Sequence, residues 1–254
     1  MKGKLFNQPI YKLLGGAWRA SLPFYASIGG NGERSVDGVL RVVEARLNDK
    51  PAAVKIRFDN DCTRPDIDIP GHIAKARAVR RLVGDDFPLA FDANNGYSVG
   101  GAMRIGRMLE GLGYRWLEEP VQHYHVKAMG EVAQRLDITV SAGEQTYTLT
   151  GLADLIAAGV RMVQPDIVKM GGITGLMRCV ALANAHGVKL VPHQTQPMIG
   201  HLANLHLAAS QLHPPSRASS TTPRCVCMRI RKSRTARRRS FSPAEGAGIG
   251  TAGQ

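Results

Sequence analysis

Five ionisable side chains stand at the ends of short apolar runs in this sequence, and their types suit proton transfer beside a hard cation. Leu89-Ala90-Phe91 stops at Asp92 and Trp116-Leu117 at Glu118; Thr139-Val140-Ser141-Ala142-Gly143 stops at Glu144. Met162-Val163-Gln164-Pro165 stops at Asp166, and Val188-Lys189-Leu190-Val191-Pro192 at His193. Three carboxylates brought to one place repel one another and raise one another's pKa values unless a cation meets them. Three oxygen ligands that leave positions for water and substrate suit octahedral Mg²⁺ better than a thiolate-loving metal. Each acid taken singly reads equally well as a helix N-cap; three in register favour the metal. An Asp near a His orients the imidazole and raises its basicity, so Asp166 with His193 reads as a general acid/base pair. In Ala52-Ala53-Val54-Lys55-Ile56-Arg57-Phe58 the cations alternate with apolar residues, so Lys55 and Arg57 share one strand face. They suit a substrate carboxylate, or alternatively a salt bridge to the acids of the next strand.

Asp92, Glu118, Glu144, Asp166 and His193 follow one another at intervals of 26, 26, 22 and 27 residues. A strand with its crossover helix takes about 30 residues or somewhat fewer, so each interval is one βα unit. Between the first two acids Ala102, Ile105, Leu109 and Leu112 recur at helical spacing, and Gly113 supplies a stop. Earlier in the chain, 2–16 reads as one helical piece, 23–28 as a strand, 36–47 as a helix, 52–58 as a strand and 73–83 as a helix. Residues 203–212 read as a further helix, and Gly171-Gly172 as a turn between strand and helix. Successive strands that each deliver an ionisable group at the same end build an α/β (TIM-type) barrel with its site on that rim.

The bounds are consistent with such an enzyme. The chain has 254 residues, 44% of them hydrophobic, and no apolar run of the eighteen or so residues that span a membrane. Four cysteines, at 62, 179, 225 and 227, form no disulfide framework in a chain of this length, and the start lacks a secretory signal; both point to the cytoplasm. The net charge is +13, but residues 211–254 hold eight Arg, one Lys and one Glu, or +8, which leaves 13 − 8 = +5 for the rest. Rich in Ser, Pro, Gly and Arg and without periodicity, 211–254 reads as a basic disordered tail or as translation in a wrong frame. With Phe241 its one aromatic, the tail argues against nucleic acid as a partner.

The ordered set Lys55-x-Arg57, Asp92-x-Asn94, Glu118-Glu119-Pro120, Gly143-Glu144, Pro165-Asp166-x-x-Lys169-x-Gly171-Gly172 and Pro192-His193 resembles the enolase superfamily, in its mandelate racemase/muconate lactonizing enzyme-like subgroup. The resemblance covers about residues 1–210. It implies Mg²⁺ on Asp92, Glu118 and Glu144 with Glu119 in outer support, a catalytic His193–Asp166 dyad, Lys55 in catalysis and substrate binding, and Arg57 and Asn94 as substrate contacts. The implied reaction removes the proton α to a carboxylate and stabilises the enolate. Arginine stays protonated, so Arg57 is a clamp rather than a second base. A single base, and a Pro192-His193 motif like that of the family's acid-sugar dehydratases, favour dehydration of a sugar acid to a 2-keto-3-deoxy acid. Racemisation or epimerisation of a hydroxy acid is the alternative.

The resemblance also implies an incomplete barrel, with the N-terminal capping domain and the last strand missing. Residues 1–20 would be the end of the cap, 21–210 the partial barrel, and 211–254 the tail. An inactive fragment of a truncated, frameshifted gene is the second alternative; a small-molecule carboxylate is the expected partner, and homo-oligomers are the expectation for the family. His123-x-His125 reads as a rim loop rather than a metal pair. His201 and His206 read as helix residues, and Cys225-Val226-Cys227 lacks the partners of a zinc site.

Overall fold

The computed structural model describes residues 2–18, 21–29, 35–57, 63–195 and 198–211, and the backbone of 226–228. Its strands are β1 (Phe24–Gly29), β2 (Ala53–Arg57), β3 (Leu89–Asp92), β4 (Trp116–Glu118), β5 (Thr139–Ala142), β6 (Met162–Val163), β7 (Lys189–Leu190) and β8 (Val226–Met228). All neighbours are parallel, in the order β7-β6-β5-β4-β3-β2-β1-β8. The ladder shortens along the sheet, from five paired residues between β1 and β2 to two between β6 and β7.

Helices α3 (Val36–Leu47), α4 (Ile69–Val83), α5 (Val99–Gly111), α6 (Val126–Arg135), α7 (Leu149–Ala157), α8 (Gly172–Ala185) and α9 (Ile199–Ser210) follow β1 to β7 in turn. This is the expected incomplete TIM-type barrel. The place of the last strand beside β1 is taken by Val226–Met228, a piece of the basic segment. No ladder joins β7 to β8 among the described residues, so the barrel is not closed there. Apart from Gln211, the rest of the basic segment lies outside the described residues.

Local chemistry sets the helix starts. Ser35, Asp68, Ser98 and Thr148 each accept the N–H of a glycine three residues on (Gly38, Gly71, Gly101, Gly151), a cap worth about 1 kcal/mol. The helix expected at 73–83 begins earlier, at Ile69, because Asp68 caps it and Pro70 suits the first turn. The single helix expected over 2–16 is two short turns, α1 (Lys2–Leu5) and α2 (Ile10–Leu13). Asn7 at φ 47° and Pro9 interrupt it.

Period-two alternation divides each strand between two packing regions. Leu89, Phe91, Leu117 and Val140 join Val43, Val79, Ile105 and Val132 in the core between sheet and helices. Tyr25, Ala53, Ala90, Trp116, Met162 and Val191 form a separate inner cluster, and Lys55, Asp92, Glu118, Asp166 and His193 continue its period-two phase toward the rim. At the opposite end of the strands, Arg80, 5% exposed, reaches five carbonyls in the turns after α4 and α5. They belong to Gly84 (2.6 Å), Asp85 (3.2 Å), Phe87 (2.8 Å), Leu112 (2.8 Å) and Gly113 (3.3 Å). No helix among the described residues is long and apolar enough to cross a membrane.

Candidate active site

The sheet register places the site. Arg57 pairs with Asp92, Asp92 with Glu118, and Glu118 with Ser141, so the ends of β2 to β5 share one level. A parallel bridge joins Asp166 to His193 beyond β6 and β7. The five predicted side chains lie at strand ends on one rim, where with Lys55 they form two bonded groups.

In the first group Lys55, 2% exposed, points its ammonium between two acids, 2.5 Å from Glu118 Oε1 and 3.2 Å from Asp92 Oδ2. The same Nζ lies 5.7 Å over the Tyr25 ring. This is the salt bridge to the next strands' acids that the sequence left open beside a substrate role. Burial pushes the Glu118 carboxyl up, with Asp92 and Glu144 adding to the rise and Lys55 opposing it. The Trp116 indole N–H reaches toward the other oxygen of Glu118, at 3.5 Å.

In the second group the His193 ring stands between two carboxylates, with Nδ1 2.9 Å from Asp166 Oδ2 and Nε2 2.9 Å from Glu144 Oε2. Burial alone would lower the imidazole, but its bonds to Asp166 and Glu144 raise it to about 9. Asp166 is held down to about 2: burial works against this, and the bond to His193 and the N–H groups of Val168 and Lys169 outweigh it. Glu144 is also drawn down to about 2, against burial, by its bond to His193 and by the charges of His193, Lys55 and Lys169.

Supporting residues fix these positions. Asp92 Oδ1 accepts the Asn94 N–H at 2.9 Å. Asn94 and Asn95 adopt left-handed backbone at φ 47° and 63°, a conformation asparagine tolerates. Asn95 in turn holds the following loop, its Oδ1 accepting the His123 N–H at 2.7 Å and its carbonyl accepting the Gln122 amide at 3.0 Å. Glu119 is buried with φ 43°. One of its oxygens accepts the Gly143 N–H at 2.8 Å, and the other has no hydrogen-bond partner. Burial, and then the charge of Glu144, push its carboxyl up to about 8.

Arg57 and Asn94 sit half-buried at the strand ends beside Asp92. Gln145, which the sequence did not single out, donates to Glu144 Oε1 at 3.2 Å and accepts from Lys169 Nζ at 2.7 Å. Its position next to a strand-end acid was the available signal. His125 stands at the N-cap of α6 without a capping bond, and His206 stacks on Tyr11 at 5.9 Å. The side chains of Cys225 and Cys227 lie outside the described residues.

The donor set of Asp92, Glu118 and Glu144 fits a hard divalent ion in type and charge. Among the described residues no three acids, histidines or cysteines are gathered closely enough to enclose one; Lys55 and His193 take up oxygens of the three acids instead.

A sequence model described as Enolase C-terminal domain-like matches residues 38–251, running past residue 210 into the basic segment. The chain belongs to that family. Within the Enolase C-terminal domain-like family, it is 32% identical over 216 residues to the arabinonate dehydratase of Saccharolobus solfataricus, covering 84% of this chain and 56% of that one. It is 32% identical over 228 residues to the D-galactarolactone cycloisomerase of Agrobacterium fabrum, covering 88% and 58%. A mandelate racemase/muconate lactonizing protein from Paracoccus denitrificans PD1222, solved complexed with magnesium, superposes with a TM-score of 0.82 at 72% identity, covering 84% of this chain and 58% of that chain. The chain thus spans under three fifths of the length of these relatives, and the family is one of enzymes that include named dehydratases and cycloisomerases.

Proposed function

We propose that this site removes the proton α to the carboxylate of a sugar acid and eliminates the β-hydroxyl, giving a 2-keto-3-deoxy acid. The carrying observation is the His193 imidazole, bonded at Nδ1 to Asp166 and placed on the rim that holds Asp92, Glu118 and Lys55. Sugar-acid dehydratases among the relatives support the substrate class, and the magnesium-bound relative supports Mg²⁺ on Asp92, Glu118 and Glu144. Bound there, Mg²⁺ would supply Lewis-acid stabilisation of the negative charge that spreads onto the substrate carboxylate.

The chain's own residues do the rest. Asp166 holds a proton on Nδ1, so that when His193 gives up its Nε2 proton the lone pair freed there accepts the α-proton, and Asp166 then stabilises the imidazolium. The Nε2 proton passes to the β-hydroxyl as its C–O bond breaks and water leaves; the resulting enol becomes the ketone. Arg57, always protonated, orients the carboxylate. Racemisation or epimerisation needs a second base on the far face, a role Arg57 does not fill.

The test is incubation of the chain with Mg²⁺ and a panel of sugar acids in D₂O. NMR would follow α-proton exchange, and a colour reaction for 2-keto-3-deoxy acids would follow product. Keto-acid formation supports the proposal, exchange or inversion without it favours the racemase reading, and neither from any substrate counts against both.

A further inference from the structure

We propose that Lys55 and His193 are built-in place-holders for the divalent cation, so that loading the metal is the step that releases both of them toward substrate. This rests on the metal reading above. Lys55 lies 3.2 Å from Asp92 Oδ2 and 2.5 Å from Glu118 Oε1. His193 Nε2 lies 2.9 Å from Glu144 Oε2. Each acid of the proposed metal site thus already holds a cationic or hydrogen-bonding partner from within the chain. Lys55 is 2% exposed and Glu118 0%. Two carboxylates so deeply buried and in register would repel strongly without a positive charge between them, so the lysine makes the barrel stable before the metal arrives.

A divalent ion taking the same oxygens brings a second cation within a few ångströms of Nζ, and the two repel. Lys55 then turns off the acids toward the rim, where an incoming carboxylate is the next available anion. Glu144, drawn to the metal, lets go of Nε2, the nitrogen that must carry a free lone pair to act as a base. The base is therefore occluded until the metal is in place, which keeps a half-assembled site from acting on substrate.

The experiment is calorimetric titration of the wild-type chain and Lys55→Met with MgCl₂, with thermal unfolding of both in the presence and absence of Mg²⁺. Methionine keeps the length and apolar stem of lysine and removes the charge. The expected result is Mg²⁺ binding tighter by about tenfold or more in Lys55→Met, from the removed cation–cation repulsion. That variant should also unfold at a lower temperature without metal and recover more than wild type when Mg²⁺ is added. Equal or weaker Mg²⁺ binding by a cooperatively unfolding Lys55→Met overturns the inference and leaves the metal reading standing. Absence of Mg²⁺ binding in both chains overturns the metal reading and this inference with it. Should Lys55→Met fail to fold, acetylation of wild type by an amine-reactive reagent, read by mass spectrometry, decides instead. Lys55 should be protected without Mg²⁺ and modified with it, and unchanged modification overturns the inference.

Discussion

Asp166→Asn isolates the role of the dyad because the surrounding hydrogen bonds dictate how the amide must sit. Asp166 Oδ1 accepts two backbone N–H groups, from Val168 at 2.8 Å and Lys169 at 3.2 Å, while Oδ2 faces His193 Nδ1 at 2.9 Å. An asparagine must put its carbonyl oxygen where the two donors converge, so its NH₂ takes the place of Oδ2. An NH₂ only donates, which obliges Nδ1 to accept and moves the imidazole proton to Nε2. Nε2 then has no lone pair for the α-proton. General base catalysis contributes about 10²–10⁴, and a wrong tautomer in a comparable triad costs about 10⁴. We expect α-proton exchange in D₂O to fall by roughly 10³–10⁴, or about 4–5.5 kcal/mol of barrier. KM should change little, because Asp166 reaches the substrate only through His193. Every backbone donor stays satisfied, so the unfolding midpoint should move by only a few degrees, and the ¹⁵N shifts of His193 should report a proton on Nε2 and none on Nδ1. Exchange retained within tenfold of wild type would refute the tautomer argument.

Two other outcomes test the scaffold. Arg80→Met removes donors to five carbonyls in two adjacent turns. With charged hydrogen bonds worth about 1.5–3 kcal/mol each and water replacing most of them, a loss of about 3 kcal/mol follows. In a chain of this size that lowers the midpoint by roughly 6–12 °C; calorimetry showing a drop under 2 °C would contradict the clamp. His72 is 3% exposed, bonded to the Tyr97 hydroxyl at 2.7 Å, and lowered to about 4 by burial and then by Lys75. A histidine buried neutral binds its proton less readily than in the unfolded chain. Its contribution is therefore present above pH about 6.5 and lost as pH falls toward 4, about 2 kcal/mol by pH 4.5. Urea unfolding at pH 7.5 and 4.5 should show a smaller acid loss in His72→Gln than in wild type, and equal losses would rule the histidine out.

Much of the site was legible because β geometry converts sequence position directly into place. An apolar run that stops at an acid marks the C-terminal end of a buried strand, so Asp92, Glu118, Glu144, Asp166 and His193 could be put on one rim from their spacing. Arg57 followed from the alternation of its own strand, and Asn94 from the family resemblance alone. What the lysine touches was not legible: Lys55 was read first for a substrate role with a salt bridge as the alternative, and only side-chain reach decides between them. Arg80 was invisible for a related reason, since its partners are backbone carbonyls, which leave no signature in residue type. The break at Asn7 and Pro9 was missed because the apolar spacing of Leu5, Ile10 and Leu13 imitates one continuous helix. The strand at Val226–Met228 was hidden in a segment whose composition carries no strand period.

The shortening of the ladder from β1–β2 to β6–β7 divides the site by stiffness. The wall that holds Lys55, Asp92 and Glu118 is laced by long runs of hydrogen bonds. The wall that carries Asp166 and His193 hangs from two-residue strands at the end of the sheet where, among the described residues, no further ladder follows β7. Amide exchange should therefore be slowest beneath the anion-holding acids and fastest beneath the base. Such a barrel is a fixed anvil facing a compliant hammer. Whatever packs against β7 governs how accurately the imidazole is held against the acids of the opposite wall.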